Sequence, residues 1–246
     1  MRFTPVIHRV ASCPSTNDLV RQMAGAGAAE GTVVVAEEQT AGRGTKGRGW
    51  YSARTKGLYL SVLLRPRSPK ISLLPIAAGL AVREAVAKAC RLEGKLRWPN
   101  DLVWQGKKLG GILCESGFSG DRLDFAVLGI GLNINHEERD FPADIQGLAV
   151  SARMAGQEFI DPEAVLQELL ESLANWYDIF CRGEWKAIIR SFEEHSAFRK
   201  GTKVQVLMNT EIFSGVFQGL DREGELLLQD ETGCRHFSSA EIVKIM

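Results

Sequence analysis

Four glycines, three cations and an indole share the eleven residues Thr40-Ala41-Gly42-Arg43-Gly44-Thr45-Lys46-Gly47-Arg48-Gly49-Trp50. Glycine lets a backbone approach a ligand closely. Successive amides in such a loop can form a concavity for anions, and arginine adds bidentate donors. The loop therefore reads as a phosphate-gripping segment, with Arg43 and Arg48 as its clamps. The plain alternative is a flexible, solvated Gly/Arg run. Gly42 to Gly47 also spells G-x-G-x-x-G, but a dinucleotide fingerprint must open a helix and meet an acidic residue about 20 positions on. Here Arg48-Gly49-Trp50-Tyr51-Ser52 and another β-rich run follow instead. The P-loop pattern fails as well, because Arg48-Gly49 stands where Lys and Ser or Thr are needed.

A second candidate is Lys108, just past the Gln105-Gly106 turn and beside Gly110 and Gly111, which allow close ligand approach. A lysine near a hairpin turn is ordinarily a solvated edge residue. Arg97-Trp98-Pro99-Asn100-Asp101 leads into that hairpin. Gly129-Ile130-Gly131-Leu132-Asn133-Ile134-Asn135 alternates glycine and asparagine at a strand end, the mark of a bulge or of a bound ligand. Near the start, Ser15-Thr16-Asn17-Asp18 reads as a helix cap, with Ser15 at the N-cap and Asp18 completing a capping box in place of Glu.

The elements that must position these groups follow from periodicity. Thr32-Val33-Val34-Val35-Ala36 is continuous and β-branched, hence a buried strand from whose end the Gly/Arg loop hangs. Leu58 to Leu64 is the next strand, Ser72 to Cys90 a helix, and Leu102 to Glu115 a β-hairpin. The stretch His136 to Gly147 is charged and irregular and reads as a mobile loop. Pro162 to Phe180 and Glu184 to Glu194 are amphipathic helices. From Lys203 five short strands with turn signals between them suggest a small SH3-like barrel.

The 246 residues, 45% hydrophobic, suit one large domain plus a small one, here 1–198 and 199–246. A formal net charge of +0 argues against a broad nucleic-acid footprint. Five scattered cysteines without a C-x-x-C pair read as reduced thiols and not as a disulfide frame or zinc site. Cys13 and Cys114, near the proposed site segments, read as passive. The first five residues lack a signal-peptide core, and no apolar run approaches bilayer length. A cytoplasmic protein without membrane contact is expected.

The GRGTKGRGW loop, the RWPNDLVWQGKKLGGIL segment and the early STN, in this order and spacing with a terminal barrel, resemble the biotin protein ligases over essentially the whole chain. The resemblance implies an α+β fold, in which a mixed β-sheet catalytic domain backed by helices precedes the SH3-like domain. It implies ATP-dependent formation of biotinyl-AMP and transfer of biotin to a lysine of a biotin carboxyl carrier protein. It places Lys108 between the biotin carboxylate and the α-phosphate, with Arg43 and Arg48 as clamps. Ser15, Thr16, Asn17 and Gln39 would read the ureido ring, with the backbone from Gly42 to Gly44 and Thr45 alongside. Gly110 and Gly111 would shape the biotin pocket; Arg48, Trp50, Asn100, Asp101 and Asn133 would face the nucleotide. Mg²⁺ is expected mainly through the ATP phosphates, with Asp101 a possible contact.

Two positions depart from the family pattern. Thr45 stands where many members carry arginine, a contact that Lys46 could replace, and Arg97 stands where lysine is usual. Some members carry an N-terminal winged-helix repressor domain; fourteen residues ahead of Ser15 are too few for one, so no DNA binding is expected. A homodimer is compatible with the family. The alternatives are a lipoate ligase on the same scaffold and, outside the enzymes, an RNA-binding module using the basic loop and Trp50.

Overall fold

The structure, a computed structural model, describes residues 3–246; Met1 and Arg2, on which part of the signal-peptide argument rests, lie outside them. Strand β1 (Val6–Val10) runs parallel to β2 (Thr32–Ala36), which is buried at every position as its unbroken β-branched sequence requires. Strands β3 (Gly57–Leu64), β4 (Lys95–Arg97), β5 (Asp101–Trp104), β6 (Lys107–Ser119) and β7 (Arg122–Asn133) add antiparallel neighbours. The result is a seven-stranded mixed sheet in the order β1-β2-β3-β7-β6-β5-β4.

Period-two alternation decides which face each side chain serves. Val33, Val35, Leu60, Val62 and Leu128 join the large core beneath the helices, while Val34, Leu63 and Val127 pack under α1 (Thr16–Gly25) with its Val20 and Ala24. The large core is closed by α2 (Leu74–Cys90), the short α3 (Ala152–Gly156), α4 (Pro162–Cys181) and α5 (Trp185–Glu194). Buried Ala77, Ala78, Ala81 and Ala85 let α2 lie close between sheet and α4. On the α1 face, β7 continues past Val127 as Gly129, Gly131 and Asn133. Missing side chains there let Asn17 and Trp50 pack directly against the sheet, at Gly129 and Gly131.

The C-terminal strands β8 (Lys203–Met208), β9 (Glu211–Leu220), β10 (Leu226–Asp230), β11 (Gly233–Phe237) and β12 (Glu241–Ile245) form an antiparallel sheet in the order β11-β10-β9-β8-β12. All five expected strands are present, but the sheet is open: β11 and β12 are its two edges and do not pair. Only residues 238–240 join those edges, so the sheet must curl until they lie within about 14 Å, the reach of four residue steps. Bulges at Leu227/Leu228 and Ile242/Lys244 supply part of that curl. The β9–β10 turn docks onto the main domain: the Trp98 indole donates to the Gly224 carbonyl (3.0 Å) and Ser72 to the Glu223 carbonyl (2.9 Å). One apolar cluster runs through both sheets, from Val33 to Phe217 and Phe237.

Candidate active site

The start of α1 builds the polar end of the site. Ser15 is the N-cap residue, but its side chain makes no capping bond, and the expected capping box is not formed. Asp18 instead meets Arg21 and, at 3.0 Å, Arg43. A carboxylate gains more from two guanidinium groups than from one backbone amide. Thr16 donates from its amide (2.8 Å) and hydroxyl (3.1 Å) to Gln39 Oε1, and Gln39 Nε2 donates to Ser52 Oγ (2.9 Å). Ser61, on the same face of β3, donates to Asn17 Oδ1 (2.5 Å) and lies 2.7 Å from Thr16 Oγ1. Asn17 in turn donates to Glu115 Oε2 (2.7 Å), the oxygen that also holds Arg43 (2.7 Å). Ser15, Thr16 and Asn17 are all buried, while Gln39, Glu115 and Arg43 are partly exposed at the edge of the network.

The Gly/Arg loop is folded and anchored. Thr40 and Ala41 donate to the carbonyls of Cys13 and Pro14 (2.9 Å each), tying the loop's entry to the chain just ahead of α1. Inside it, Gly44 donates to Arg48 O (2.7 Å) and Trp50 to Gly42 O (2.8 Å), around a single 3₁₀ turn at Thr45–Gly47. The Trp50 indole lies flat on β7 at Gly131, where a Cβ would stand 2.4 Å from Cε2; no other residue fits there. Lys108 Nζ sits 5.3 Å from the centroid of that ring, within cation–π range. Arg48 reaches away from the sheet to Glu241 at the start of β12 (2.8 Å).

Lys108 itself is fixed at both ends. Its amine pairs with Asp101 (2.6 Å), whose other oxygen takes Arg97 (2.8 Å). Its backbone amide donates to Leu148 O (2.8 Å), and its carbonyl accepts from Val150 (2.9 Å). Asn133, buried, spends its amide N–H groups on Lys108 O (3.3 Å) and Val150 O (3.2 Å), so it supports Lys108 from behind. Asn100 donates to Ile112 O (2.6 Å) and shapes the β5–β6 approach.

These groups converge. Apart from Gly42 and Gly110, every residue expected from the sequence to contact biotin or the nucleotide lines one cavity of about 960 Å³. Gly110 packs instead against Leu132, and Gly42 against the Trp50 carbonyl and Ser52. Two donors in the cavity's residues, Arg43 Nε and Trp50 Nε1, are buried without a protein acceptor. Buried donors of that kind call for a bound partner. Burial raises the Cys13 and Cys114 thiols, Cys114 to about 12, with nearby Asp18 and Glu115 adding to the respective shifts. Both therefore stay neutral and unreactive. Among the described residues no set of three carboxylate or imidazole donors surrounds Asp101; the one such set, Asp221 and Glu225 of the β9–β10 turn with His236 of β11, lies outside the cavity.

Several lining groups escape the sequence reading. Glu115 was legible in principle, since it follows Gly111 and Leu113 at period two along β6. Glu241 and its neighbours Ser239 and Ala240 were not, because nothing local says that β12 meets the loop. The stretch from His136 to Gly147, expected to be mobile, is a built wall. It holds a 3₁₀ turn at Glu138–Asp140 and puts Phe141 and Ile145 on the cavity, where Leu148 and Ala149 just past its end join them.

A deep cleft with a neutral polar end, clustered cations and an apolar wall, roofed by a glycine-rich loop, is the layout of an enzyme that handles an anionic substrate. Comparison with known proteins narrows this. Residues 10–133 match the model of the biotin/lipoate A/B protein ligase family and residues 201–244 that of the biotin protein ligase C terminal domain. The bifunctional ligase/repressor BirA of Bacillus subtilis is 35% identical over 239 residues, covering 96% of this chain and 73% of that protein. The biotin–[acetyl-CoA-carboxylase] ligase of Mycobacterium tuberculosis is 32% identical, covering 89% and 81%. The biotin protein ligase of Aquifex aeolicus, solved in complex with biotin and ATP, superimposes with a TM-score of 0.85 at 29% identity, covering 99% of each chain. The chain belongs to the biotin/lipoate protein ligase family, on its biotin protein ligase branch.

Proposed function

We infer that the protein activates biotin with ATP and transfers it to a lysine of a biotin carboxyl carrier protein. The observation that carries this reading is the convergence of Arg43, Arg48 and Lys108 on one cavity whose far end is the buried Thr16–Gln39 network. A carboxylate must acquire a good leaving group before an amine can displace it. A biotin carboxylate oxygen attacks the α-phosphorus of ATP, the bond to pyrophosphate breaks, and biotinyl-AMP forms. The carrier lysine then attacks the acyl carbon, the C–O bond to AMP breaks, and AMP departs with the electron pair.

The first step crowds anions together, and fixed cations stabilise the spreading charge. Lys108 sits between the polar end and the Asp101–Arg97 pair, where a carboxylate and a phosphate would meet. Each clamp now rests on a protein carboxylate: Arg43 on Glu115, Arg48 on Glu241, Lys108 on Asp101. Substrate anions would exchange with these, so no clamp is desolvated unpaired before substrate arrives. Mg²⁺ bound with the triphosphate would neutralise part of its charge. Asp101 would free one carboxylate oxygen when Lys108 turns to substrate, which suits a cation held mainly by phosphate.

The Thr16, Gln39 and Ser52 groups favour a ureido ring over a dithiolane, which would leave polar atoms facing sulfur at a cost of about 1–3 kcal/mol each. The RNA-binding reading is disfavoured because both parts of the chain match biotin protein ligase family models. Residues 1–198 would form the catalytic unit and 199–246 its cover over Arg48. All five cysteines are free thiols, which suits a reducing cytoplasm, and among the described residues no helix is long and apolar enough to cross a membrane. The open edge at β1, where Val6 and Ile7 are exposed, would accept a second copy strand to strand. The test is pyrophosphate release from ATP with and without biotin. The wild type should release it only with biotin, and Lys108→Ala should abolish it while keeping the far-UV spectrum. Near-normal release by Lys108→Ala would remove Lys108 from the mechanism.

A further inference from the structure

His136 is fully buried, just beyond the end of β7, and no step of the proposed chemistry uses it. Its ring stacks on Phe141 with centroids 4.8 Å apart and planes 11° from parallel. Its Nε2 lies 3.3 Å from the Tyr59 hydroxyl, which itself donates to Ala53 O in the segment leaving the Gly/Arg loop. Tyr51, in that same segment, tilts over the imidazole at 6.3 Å. The His136 carbonyl accepts the buried Ser151 hydroxyl (2.6 Å), which closes residues 137–150 into a loop with a fixed base. From the other end of that loop come the two backbone bonds that grip Lys108.

We propose that His136 is a positioning residue that locks the 137–149 wall to the exit of the Gly/Arg loop and thereby sets the place of Lys108 and of the apolar lining. The chain of contacts is continuous. Ala53 holds Tyr59, Tyr59 holds His136, and His136 holds Phe141, which lines the cavity with Ile145 and Leu148. Leu148 in turn accepts from Lys108. An apolar, aromatic-bearing wall beside Lys108 fits the flat heteroaromatic base of the nucleotide and not the ureido ring, whose polar partners lie at the opposite end. The stack does this work as a neutral ring. Burial lowers the imidazole pKa to about 4; the charged groups facing it, Asp140 and Lys56, oppose one another and pair together at 2.9 Å, while Tyr51 and Tyr59 are uncharged. Nδ1 of the ring is buried without a hydrogen-bond partner, so the ring's known contacts are the stack and Nε2.

This inference rests on the ligase reading for its kinetic arm only. Steady-state adenylation should show that His136→Ala raises the KM for ATP roughly tenfold, the scale of a misplaced binding wall. The KM for biotin should stay within about twofold, since the Thr16–Gln39 end is untouched. Phe141→Ala should reproduce the split, and His136→Phe, which keeps the stack but gives up both ring nitrogens and with them the Nε2 contact to Tyr59, should restore most of the wild-type KM for ATP, because the stack on Phe141 is the stronger link. Amide exchange supplies an arm independent of the substrate. Residues 137–149 and the Lys108 amide should exchange faster in His136→Ala and Phe141→Ala, but not in His136→Phe. Equal rises in both KM values, or failure of His136→Phe to restore either readout, would overturn the proposal. A wild-type protein without biotin-dependent pyrophosphate release would instead sink the ligase reading, and the exchange result would still decide the role of His136. Should His136→Ala not fold, Phe141→Ala and His136→Phe carry both readouts.

Discussion

Replacing Gly129 by alanine tests how the polar end of the cavity is held. A Cβ built at Gly129 stands 2.2 Å from Asn17 Oδ1, 3.0 Å from Cγ and 3.1 Å from Nδ2. Asn17 is 3% exposed and cannot swing into solvent without abandoning Ser61 and Glu115. Overpacking a site of this kind costs about 1–3 kcal/mol, and a lost hydrogen bond to a charged group about 1.5–3 kcal/mol, so Gly129→Ala should destabilise by roughly 3–5 kcal/mol. Against a total of about 5–15 kcal/mol that is a large loss, readable in a urea titration. Glu115, which pairs with Arg43, also loses the Asn17 amide as a donor, so the KM for biotin should rise. The decisive measurement is a double-mutant cycle. Asn17→Ala removes the clashing amide, so adding Gly129→Ala to it should cost much less than Gly129→Ala alone, a coupling of at least about 1 kcal/mol. Effects that add within about 0.5 kcal/mol would show that Gly129 is required for some reason other than Asn17.

Stability against pH provides a separate check. His136 is neutral in the fold down to about pH 4, whereas an unfolded imidazole takes its proton near 6.5. The unfolded chain therefore binds more protons between those values, and the stabilisation, complete above about pH 6.5, is lost as pH falls toward 4. A shift of this size corresponds to about 3 kcal/mol, and the difference between wild type and His136→Phe in denaturation midpoints across that window should display it. Identical slopes in the two proteins would refute the buried neutral imidazole. Glu241→Gln breaks an exposed ion pair with Arg48 and should cost less than about 1 kcal/mol in thermal denaturation. A loss above 2 kcal/mol would make that contact a structural clasp between the sheets.

Much of the architecture was legible because its signals are local. The unbroken β-branched run of β2, the Gln105–Gly106 turn ahead of Lys108 and the apolar stripe of α4 each state their own element through backbone preference and periodicity. The cluster of site residues was legible through side-chain chemistry: glycine beside arginine in the loop, and a lysine followed by two glycines on β6. Errors arose where a local preference met a distant competitor. Asp18 suits a capping box, yet it turns to Arg43 because a loop some 25 residues later brings a guanidinium within 3.0 Å. The charged stretch after β7 looks mobile by composition, but its Phe141 is buried and stacks on the imidazole of His136. Five short strands announce a small β domain, and nothing in them says that its two edges stop short of pairing.

By itself, then, the amino-acid order determined which groups could grip anions and which segments would be strands and helices, since both depend on residue type and spacing of a few positions. Only the tertiary structure decided which carboxylate each cation rests on, that Trp50 lies over Gly131, and that Lys108 is held from the 137–149 wall. Apart from Lys108 with Asp101, which are close in the chain, those pairings join residues tens to nearly two hundred positions apart. They form only when the sheet order β3-β7-β6-β5 and the curl of the C-terminal strands bring the partners within hydrogen-bonding range.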